Sequence, residues 1–228
     1  EMPEIKATHP SNSNIGIDVG LENFATLSNG EVIANPRYLI KSEAKLKLLH
    51  RRVSRKAKGS RNRVKARFRL AKLHLKVSNQ RNDFHHKISR MLVSKYKFIS
   101  GETLNISNMV RNHSLAKSIS DVGWGSFIQM LSYKAVTGGG QFLKNPKTRG
   151  SSQRCSGCGT IVEMPLSKRQ FLCPNCSLSL HRDHNSAINH HNDTVGLTEI
   201  LTPVDIEPLQ QSFSVASLVV EAGTISGK

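Results

Sequence analysis

The residues of this sequence with the clearest chemistry are its four cysteines, which lie close together near the C-terminal end. They form two Cys-x-x-Cys pairs, Cys155 with Cys158 and Cys173 with Cys176, separated by 14 residues. Four thiolates in two such pairs are the ligand set of a tetrahedral zinc site. The spacing predicts a zinc ribbon over residues 151–180. Two disulfides in a secreted protein are the alternative; the basic charge and the lack of a signal-peptide pattern favour zinc in a reduced, intracellular setting.

Three acidic residues occupy positions from which they could share a metal ion. Asp18 lies on a short apolar segment with a strand pattern, Glu102 follows another predicted strand, and Asp183 opens a predicted helix. Carboxylates gathered at one end of a sheet could hold Mg²⁺ or Mn²⁺, and two ions about 3.5–4 Å apart support phosphodiester cleavage. Taken singly, the three have ordinary readings as a turn residue, a loop cap and a helix N-cap. Composition alone does not rank them against Asp121.

Basic residues are concentrated in one stretch of a chain whose formal net charge is +17. Residues 41–100 contain 20 of the 33 Lys and Arg residues and only two acids. Such an excess indicates a polyanionic partner, with nucleic acid ahead of a membrane surface. Because acids are too few for regular i,i+4 ion pairs, we favour a nucleic-acid surface over an ordinary solvated helix face. The side chains predicted to contact nucleic acid are Lys45, Arg51, Arg52, Arg55, Lys56, Arg61, Arg63, Lys65, Arg67, Arg69 and Arg182. For Arg182, an exposed position at a helix end explains the residue equally well.

Hydrophobic periodicity divides the chain into a β-rich start, a helical middle and a mixed end. Short strands are predicted at 14–20, 24–28 and 32–34, with a hairpin turn at Asn29-Gly30. A helical hairpin broken near 58–60 follows. Beyond it we predict a strand at 96–100, a polar loop through 113, a helix at 124–136, a short strand at 141–143 and a helix at 183–191.

The two ends of the chain carry weaker patterns. Residues 1–13 are expected to be a loose lead-in, and residues 193–228 a largely disordered tail. No apolar run approaches the roughly 20 residues that a membrane-spanning helix needs. Four histidines crowd the last helix and the end of the ribbon. Because four cysteines already fill a tetrahedral site, we expect these histidines at the surface or facing phosphate; they are His181, His184, His190 and His191.

Eight short segments, in order along the chain, match motifs of one protein family. They are GIDVGL at 16–21, FATLSNG at 24–30, NPRYL at 35–39, QRNDFHHK at 80–87, ETLNI at 102–106, MVRNH at 109–113, SQRCSGCG at 152–159 and RDHNSAIN at 182–189. On these segments the chain resembles the OrfB/TnpB family, which is encoded by insertion sequences and related to type V CRISPR effector nucleases. Each motif is modest, but the series covers roughly residues 10–192 and is specific.

The resemblance implies an α/β fold, a RuvC-like nuclease core of RNase H-like fold with a mixed sheet and helices. The implied core covers 14–150, with the basic helical hairpin inserted at about 41–97. The zinc ribbon at 151–180 then precedes a last catalytic helix at 181–192. By motif position, Asp18, Glu102 and Asp183 correspond to catalytic acids that bind Mg²⁺ or Mn²⁺, and the four cysteines correspond to zinc ligands.

Members of the family look like RNA-guided DNA endonucleases of mobile elements. The resemblance therefore implies DNA as the substrate, a guide RNA as a partner of the full-length protein, and a place at the nucleoid in a prokaryotic cytoplasm. This sequence departs from the family at Gly101, at the glycine run 138–140, and in lacking the N-terminal half that grips the guide. Those departures keep a second hypothesis open, a truncated nucleic-acid-binding remnant without catalysis. A plain zinc-ribbon protein of the RNA-handling machinery would not explain the Asp18 strand or the Glu102 motif.

Overall fold

A five-stranded mixed sheet forms the centre of the computed structural model, which describes residues 13–102, 104–145, 150–165 and 167–195. Its strands are β1 (Asn14–Val19), β2 (Asn23–Leu27), β3 (Val32–Ala34), β4 (Phe98–Gly101) and β5 (Gln141–Lys144). They are ordered β3-β2-β1-β4-β5 across the sheet. β1, β4 and β5 run parallel, and β2 and β3 pair antiparallel as a meander. The predicted opening meander is confirmed, and the predicted mixed α/β class agrees with this sheet.

Helices connect and cover these strands. They are α1 (Tyr38–Ser54), α2 (Arg61–Lys95), α3 (Ile106–Met109), α4 (His113–Val122), α5 (Trp124–Thr137) and α6 (Arg182–Val195). α1 and α2 form the predicted helical hairpin, and the side chain of Ser60 caps α2 by accepting a hydrogen bond from the backbone N–H of Arg63. The predicted last helix, 183–191, continues to Val195. The predicted lead-in and tail fall almost wholly outside the described residues.

The polar loop predicted through residue 113 is wrong, because two helices begin within or at the end of that stretch. The side chain of Asn105 accepts a hydrogen bond from the backbone of Asn108 at the start of α3. Asn112 does the same for Ser114 at the start of α4. Asn is a favoured N-cap residue, so polar residues that suggested a loop instead start helices. The predicted strand at 96–100 begins two residues later, because Tyr96 is still the C-cap of α2.

The two faces of β1 pack against different parts of the molecule. Ile15, Ile17 and Val19 are buried in a core formed with β2, β4, α2, α4 and α5. The alternate residues, Gly16 and Asp18, face α6, because successive side chains of a strand point to opposite sides. A Cβ at Gly16 would lie 2.0 Å from the Ala187 carbonyl oxygen, so glycine is needed for α6 to lie this close to the strand.

A second, smaller hairpin carries the second cysteine pair, and the first pair lies in a turn closed by a bridge between Arg154 and Ile161. The strands of the hairpin are β6 (Gln170–Leu172) and β7 (Ser179–His181), which pair antiparallel. Phe171 is fully buried and packs with Met164 and two of the cysteines in a small apolar cluster. α6 begins directly after β7, so the hairpin is joined without a linker to the helix that covers β1. None of the helices in the described ranges has the length and apolar character needed to cross a membrane.

Candidate active site and metal centre

Asp18 lies in the middle of the sheet, on a strand flanked by β2 and β4. Its side chain is 15% exposed and faces α6. The hydroxyl of Ser186 donates a 2.8 Å hydrogen bond to Asp18 Oδ1, and the Nε2 atom of His190 lies 3.7 Å from the same oxygen. Side chains of α6 therefore lie against the Asp18 carboxylate on the helix-covered face of the sheet.

Register brings Glu102 to the same end of the sheet. β1 and β4 are parallel, and Ile17 pairs with Gly101. Asp18 and Glu102 each come one position later, so both lie where these two strands end. A Cβ at Gly101 would meet the Phe142 ring at 3.3 Å and the Ile17 carbonyl oxygen at 3.4 Å. The glycine that departs from the family pattern thus occupies a tightly packed position in β4.

Asp183 reaches this end of the sheet from the first turn of α6. A Cβ added at Gly20, just after β1, would lie 3.9 Å from Asp183 Oδ2. Arg169 of the ribbon lies 4.0 Å from the other Asp183 oxygen and 3.4 Å from Glu22. Sequence reasoning did not single out Arg169, which lies near the acids because β6 pairs with β7 and the Arg169 carbonyl oxygen accepts a hydrogen bond from the backbone N–H of Arg182 at the start of α6.

The carboxylates affect one another's protonation. Burial, together with the negative charge of Asp18, raises the pKa of Glu102 to about 7, against a smaller lowering by His190. Burial also raises the pKa of Asp183, again with a contribution from Asp18. Both acids therefore lie within electrostatic reach of Asp18 in a poorly solvated site. Negative charge gathered in this way attracts a cation.

The three acids do not form a compact single-ion cluster like the one that the cysteines form. Within the described ranges, the four cysteines form the one group of three or more such side chains whose ligand atoms all lie within 4.8 Å of one another. The carboxylates are spaced more widely. A ring around two cations about 3.5–4 Å apart is wider than a ring around one. Hard carboxylate oxygens are also the donors that Mg²⁺ and Mn²⁺ prefer.

The expectation that all four histidines lie at the surface or face phosphate is wrong for His190. This residue is fully buried. Its Nδ1 atom lies 2.9 Å from the amide nitrogen of Asn145, which is also buried. α6 packs along β1, so its inward positions are covered. His184 is also held, since its Nε2 atom lies 3.1 Å from the Ser28 carbonyl oxygen.

The cysteines come together as their spacing predicts. The Sγ–Sγ distances are 3.5 Å for both Cys155–Cys176 and Cys158–Cys173. Four sulfurs about 2.3 Å from a tetrahedral ion would be separated by roughly 3.8 Å, so the cluster fits Zn²⁺. The four cysteines could therefore hold a metal such as zinc.

Side chains of α6 hold the segment at 151–156, which leads into the first cysteine pair, against the helix. Asn185 accepts a 2.9 Å hydrogen bond from the backbone N–H of Ser156 and donates one of 2.8 Å to the Arg154 carbonyl oxygen. Asn189 donates to the same oxygen at 2.6 Å and to that of Ser151 at 2.7 Å. These amides are fully or almost fully buried. The first cysteine pair and the helix that carries Asp183 are therefore tied together.

The predicted nucleic-acid surface lies on α1, α2 and their connection. Nine of the ten hairpin side chains are exposed, and the partly buried Arg63 donates to the Lys56 carbonyl oxygen. Glu43 pairs with Lys47 at 2.8 Å and with Lys117 at 2.7 Å. Arg182, the eleventh predicted residue, is half-buried. Contact with nucleic acid stays a prediction for all eleven.

Asp121, which composition could not separate from the other acids, has a structural task. Its carboxylate accepts a 3.0 Å hydrogen bond from Arg81 of α2 and one of 3.3 Å from the backbone N–H of Leu39. The second bond satisfies an N–H in the first turn of α1, where Arg37 at the N-cap provides no side-chain cap. Asp121 therefore fixes the start of the hairpin.

Comparison with known proteins is consistent with this arrangement. Residues 1–113 match the family OrfB_IS605, described as "Probable transposase", and residues 124–190 match the family "Cas12f1-like, TNB domain". A Streptomyces pristinaespiralis protein named "Putative RNA-guided DNA endonuclease" is 39% identical over 77% of this chain and 44% of its own length. The Escherichia coli K12 protein InsQ, named in the same way, is 35% identical over 79% of this chain and 49% of its own. The chain belongs to the insertion-sequence-encoded OrfB/TnpB family, and it spans about half the length of these curated relatives.

Solved structures show the same fold at low sequence identity. The Cas12f1 chain of a Cas12f1-sgRNA-target DNA complex superposes with a TM-score of 0.57 at 17% identity, covering 84% of this chain and 51% of that one. A CRISPR-Cas12f ternary complex gives a TM-score of 0.58 at 18% identity, covering 84% and 41%. The mixed α/β fold is thus shared with Cas12f.

Proposed function

We propose that this chain is the nuclease part of an RNA-guided DNA endonuclease of a mobile element, with an RNase H-like, RuvC-like core. The observation that carries the proposal is the meeting of three carboxylates, Asp18, Glu102 and Asp183, at one end of the central sheet. The names of the curated relatives support DNA cleavage. In the full-length protein we propose a guide RNA and target DNA as partners, with action at the bacterial nucleoid.

The residues themselves define what the site can do. Asp18, Glu102 and Asp183 would hold two Mg²⁺ or Mn²⁺ ions, which when bound activate the attacking water and offset charge on the leaving oxygen. Until ions bind, burial keeps Glu102 easy to protonate, so cation entry is coupled to loss of that proton. Arg169 places a positive charge at the edge of the site, near Asp183, where a scissile phosphate could approach. Positioning and charge neutralisation then support in-line displacement at phosphorus.

We propose separate roles for the cysteines and the hairpin. The cysteines hold a structural Zn²⁺, and the hydrogen bonds from Asn185 and Asn189 to the first knuckle fix α6 relative to it. The hairpin supplies phosphate contacts, which add affinity without reading sequence. Base pairing with the guide would then choose the target.

The test is cleavage of single-stranded or unwound DNA with Mg²⁺ or Mn²⁺. Asp18→Ala and Asp183→Ala should each reduce the rate at least a hundredfold, because each removes a ligand that orients the ions. Asp83→Asn is the matched control, since Asp83 is an exposed acid paired with Lys87 at 2.7 Å and lies on α2. Equal rates for wild type and Asp18→Ala would refute the proposed site.

The second candidate function is nucleic-acid binding without cleavage. The exposed hairpin favours it, since those basic side chains are available whatever the state of the acids. A binding titration over a salt series, run beside the cleavage assay, separates the two. Steeply salt-dependent affinity with no cutting by the wild-type chain would select the binding module.

A further inference from the structure

A buried chain of polar side chains ends on Asp18. Asn145, Ser186 and His190 are at most 1% exposed, and their contacts lead from Asp193 to the Asp18 carboxylate. Burying such groups is costly unless their hydrogen bonds are satisfied, so their joint presence needs an explanation. The core packing of α6 does not supply one, since Ala187 already provides the close contact with β1.

The direction of each hydrogen bond follows from counting protons. The amide nitrogen of Asn145 lies 3.1 Å from Asp193 Oδ2 and 2.9 Å from His190 Nδ1. An ionised carboxylate only accepts, so the –NH₂ group of Asn145 must face Asp193, and it donates its second proton to Nδ1. The neutral ring of His190 then carries its proton on Nε2. That atom is directed at Ser186 Oγ, 3.4 Å away, and at Asp18 Oδ1, 3.7 Å away.

The serine hydroxyl completes the chain. Ser186 Oγ lies 2.8 Å from Asp18 Oδ1 and 3.1 Å from Ser151 Oγ. It has one proton, and Asp18 can only accept, so Ser186 donates to Asp18 and accepts from Ser151 and His190. Every member therefore has a consistent role. Apart from the proton that Asn145 donates to Asp193, the donated protons point towards Asp18.

We propose that Ser186 and His190 are positioning residues for Asp18, which set its carboxylate plane for divalent-metal binding. The inference rests on the proposed function, in which Asp18 is a metal ligand. One hydrogen bond at Oδ1 fixes the rotamer and leaves the remaining lone pairs of the carboxylate for a cation. Partners behind a metal ligand commonly change metal affinity by about 10–100-fold when they are lost.

Mn²⁺ binding to the zinc-loaded chain, followed by the electron paramagnetic resonance of free Mn²⁺, tests the inference without relying on catalysis. Ser186→Ala should weaken Mn²⁺ binding about tenfold, and Ser186→Thr, which keeps the hydroxyl, should restore it to within about threefold. Ser89→Ala is the matched control, because it removes another fully buried hydroxyl, one that donates to the His85 carbonyl oxygen on α2. Thermal unfolding checks that each variant is folded.

A second pair of variants covers the case in which Ser186→Ala does not fold. His190→Gln keeps an N–H donor and should bind Mn²⁺ within about threefold of wild type, whereas His190→Leu should lose about tenfold. In cleavage assays Ser186→Ala and His190→Leu should need more metal for half-maximal rate, with the maximal rate largely kept. A purely structural role would lower stability without this shift in metal dependence.

The outcomes separate this inference from the proposed function. If Asp18→Asn leaves Mn²⁺ affinity unchanged, the proposed metal site itself fails. If Asp18→Asn weakens binding but Ser186→Ala and His190→Leu do not, only the positioning role is overturned. Equal weakening by Ser89→Ala would also overturn it.

Discussion

The two candidate ion sites of this protein are assembled in opposite ways. The cysteines fall within residues 155–176 and sit on two short turns, one closed by the Arg154–Ile161 bridge and one between β6 and β7, where their sulfurs already lie within 4.8 Å of one another. The carboxylates come from two strands and a helix, between Asp18 and Asp183, and burial and mutual repulsion raise the pKa values of Glu102 and Asp183. We expect the first site to need its ion to hold a small fold together. The second is held by a large fold, in which the buried acids bear an electrostatic cost that bound cations would offset.

The largest effect should follow loss of the ion in the cysteine site. Zinc contributes roughly 10–16 kcal/mol of apparent binding free energy in small zinc domains. The apolar cluster here is small: besides two cysteines it has Phe171 and Met164 buried, with Val162 and Leu178 partly buried against them. Chelation, or Cys173→Ser, should therefore unfold residues 150–181 and expose them to protease. Hydrogen exchange across this segment measures the effect, together with a zinc stoichiometry of one per chain.

The control for that experiment is Ser156→Ala. Ser156 contacts Asn185 through its backbone N–H, so removing its hydroxyl should leave the ribbon intact. An ordered ribbon in metal-free Cys173→Ser would contradict the comparison, because the hairpin would then be stable without its ion.

The same contrast explains which parts of the structure the sequence reveals. The cysteine spacing, the Asn29-Gly30 turn and the helix break near 58–60 are local signals, and the elements they predict are present. The burial of His190 is not local. It depends on α6 lying against Gly16, a packing contact between residues far apart in sequence. The helix α4 was missed for a related reason, since its short apolar stripe becomes recognisable only when Ile119 and Val122 meet the core.

The candidate acids were found in sequence only as members of a motif series. Asp121 has a structural role, whereas Asp18 and Glu102 share a candidate site. Their three-dimensional surroundings distinguish them, and the local sequence pattern does not. Parallel pairing of β1 with β4 brings Asp18 and Glu102 together. Hydrophobic periodicity does not predict which strands pair, so this proximity could not be derived from the sequence pattern.

A smaller effect is expected when the charge at Glu102 is removed, and it should be a gain in the free energy of unfolding instead of a loss. Its pKa rises from 4.5 to about 7 on folding, so the folded state prefers the protonated form. The cost of ionised Glu102 is absent below about pH 4.5, grows as pH rises to 7, and is constant above. A shift of this size corresponds to roughly 3 kcal/mol. Glu102→Gln should therefore raise the free energy of unfolding of metal-free, zinc-loaded protein by about 2–3 kcal/mol at pH 8 and hardly at all at pH 4.

Denaturant unfolding at the two pH values measures this gain. Glu31→Gln is the control, because Glu31 is exposed and only 4.0 Å from Lys95, at the limit of an ion pair. Added Mn²⁺ should stabilise the wild type more than Glu102→Gln. If the variant is no more stable than wild type at pH 8, the acids do not bear the cost that distinguishes this site from the cysteines.

The smallest effect on stability is expected in the basic hairpin, whose like charges are exposed to water and not buried. A separate effect on nucleic-acid binding is expected there. Lys65 and Lys87 are both exposed lysines of α2, but Lys87 pairs with Asp83 at 2.7 Å. Exposed charges are well solvated, so Lys65→Ala should change the free energy of unfolding by less than about 0.5 kcal/mol. If Lys65 contacts phosphate, the slope of log K against log salt should fall by about 0.7 on single-stranded DNA. Lys87→Ala should alter the slope less, because Asp83 already offsets that charge.

An unchanged slope for Lys65→Ala with a reduced slope for Lys87→Ala would contradict the proposed role of the loop-side charges. The nucleic acid would then contact the other end of α2.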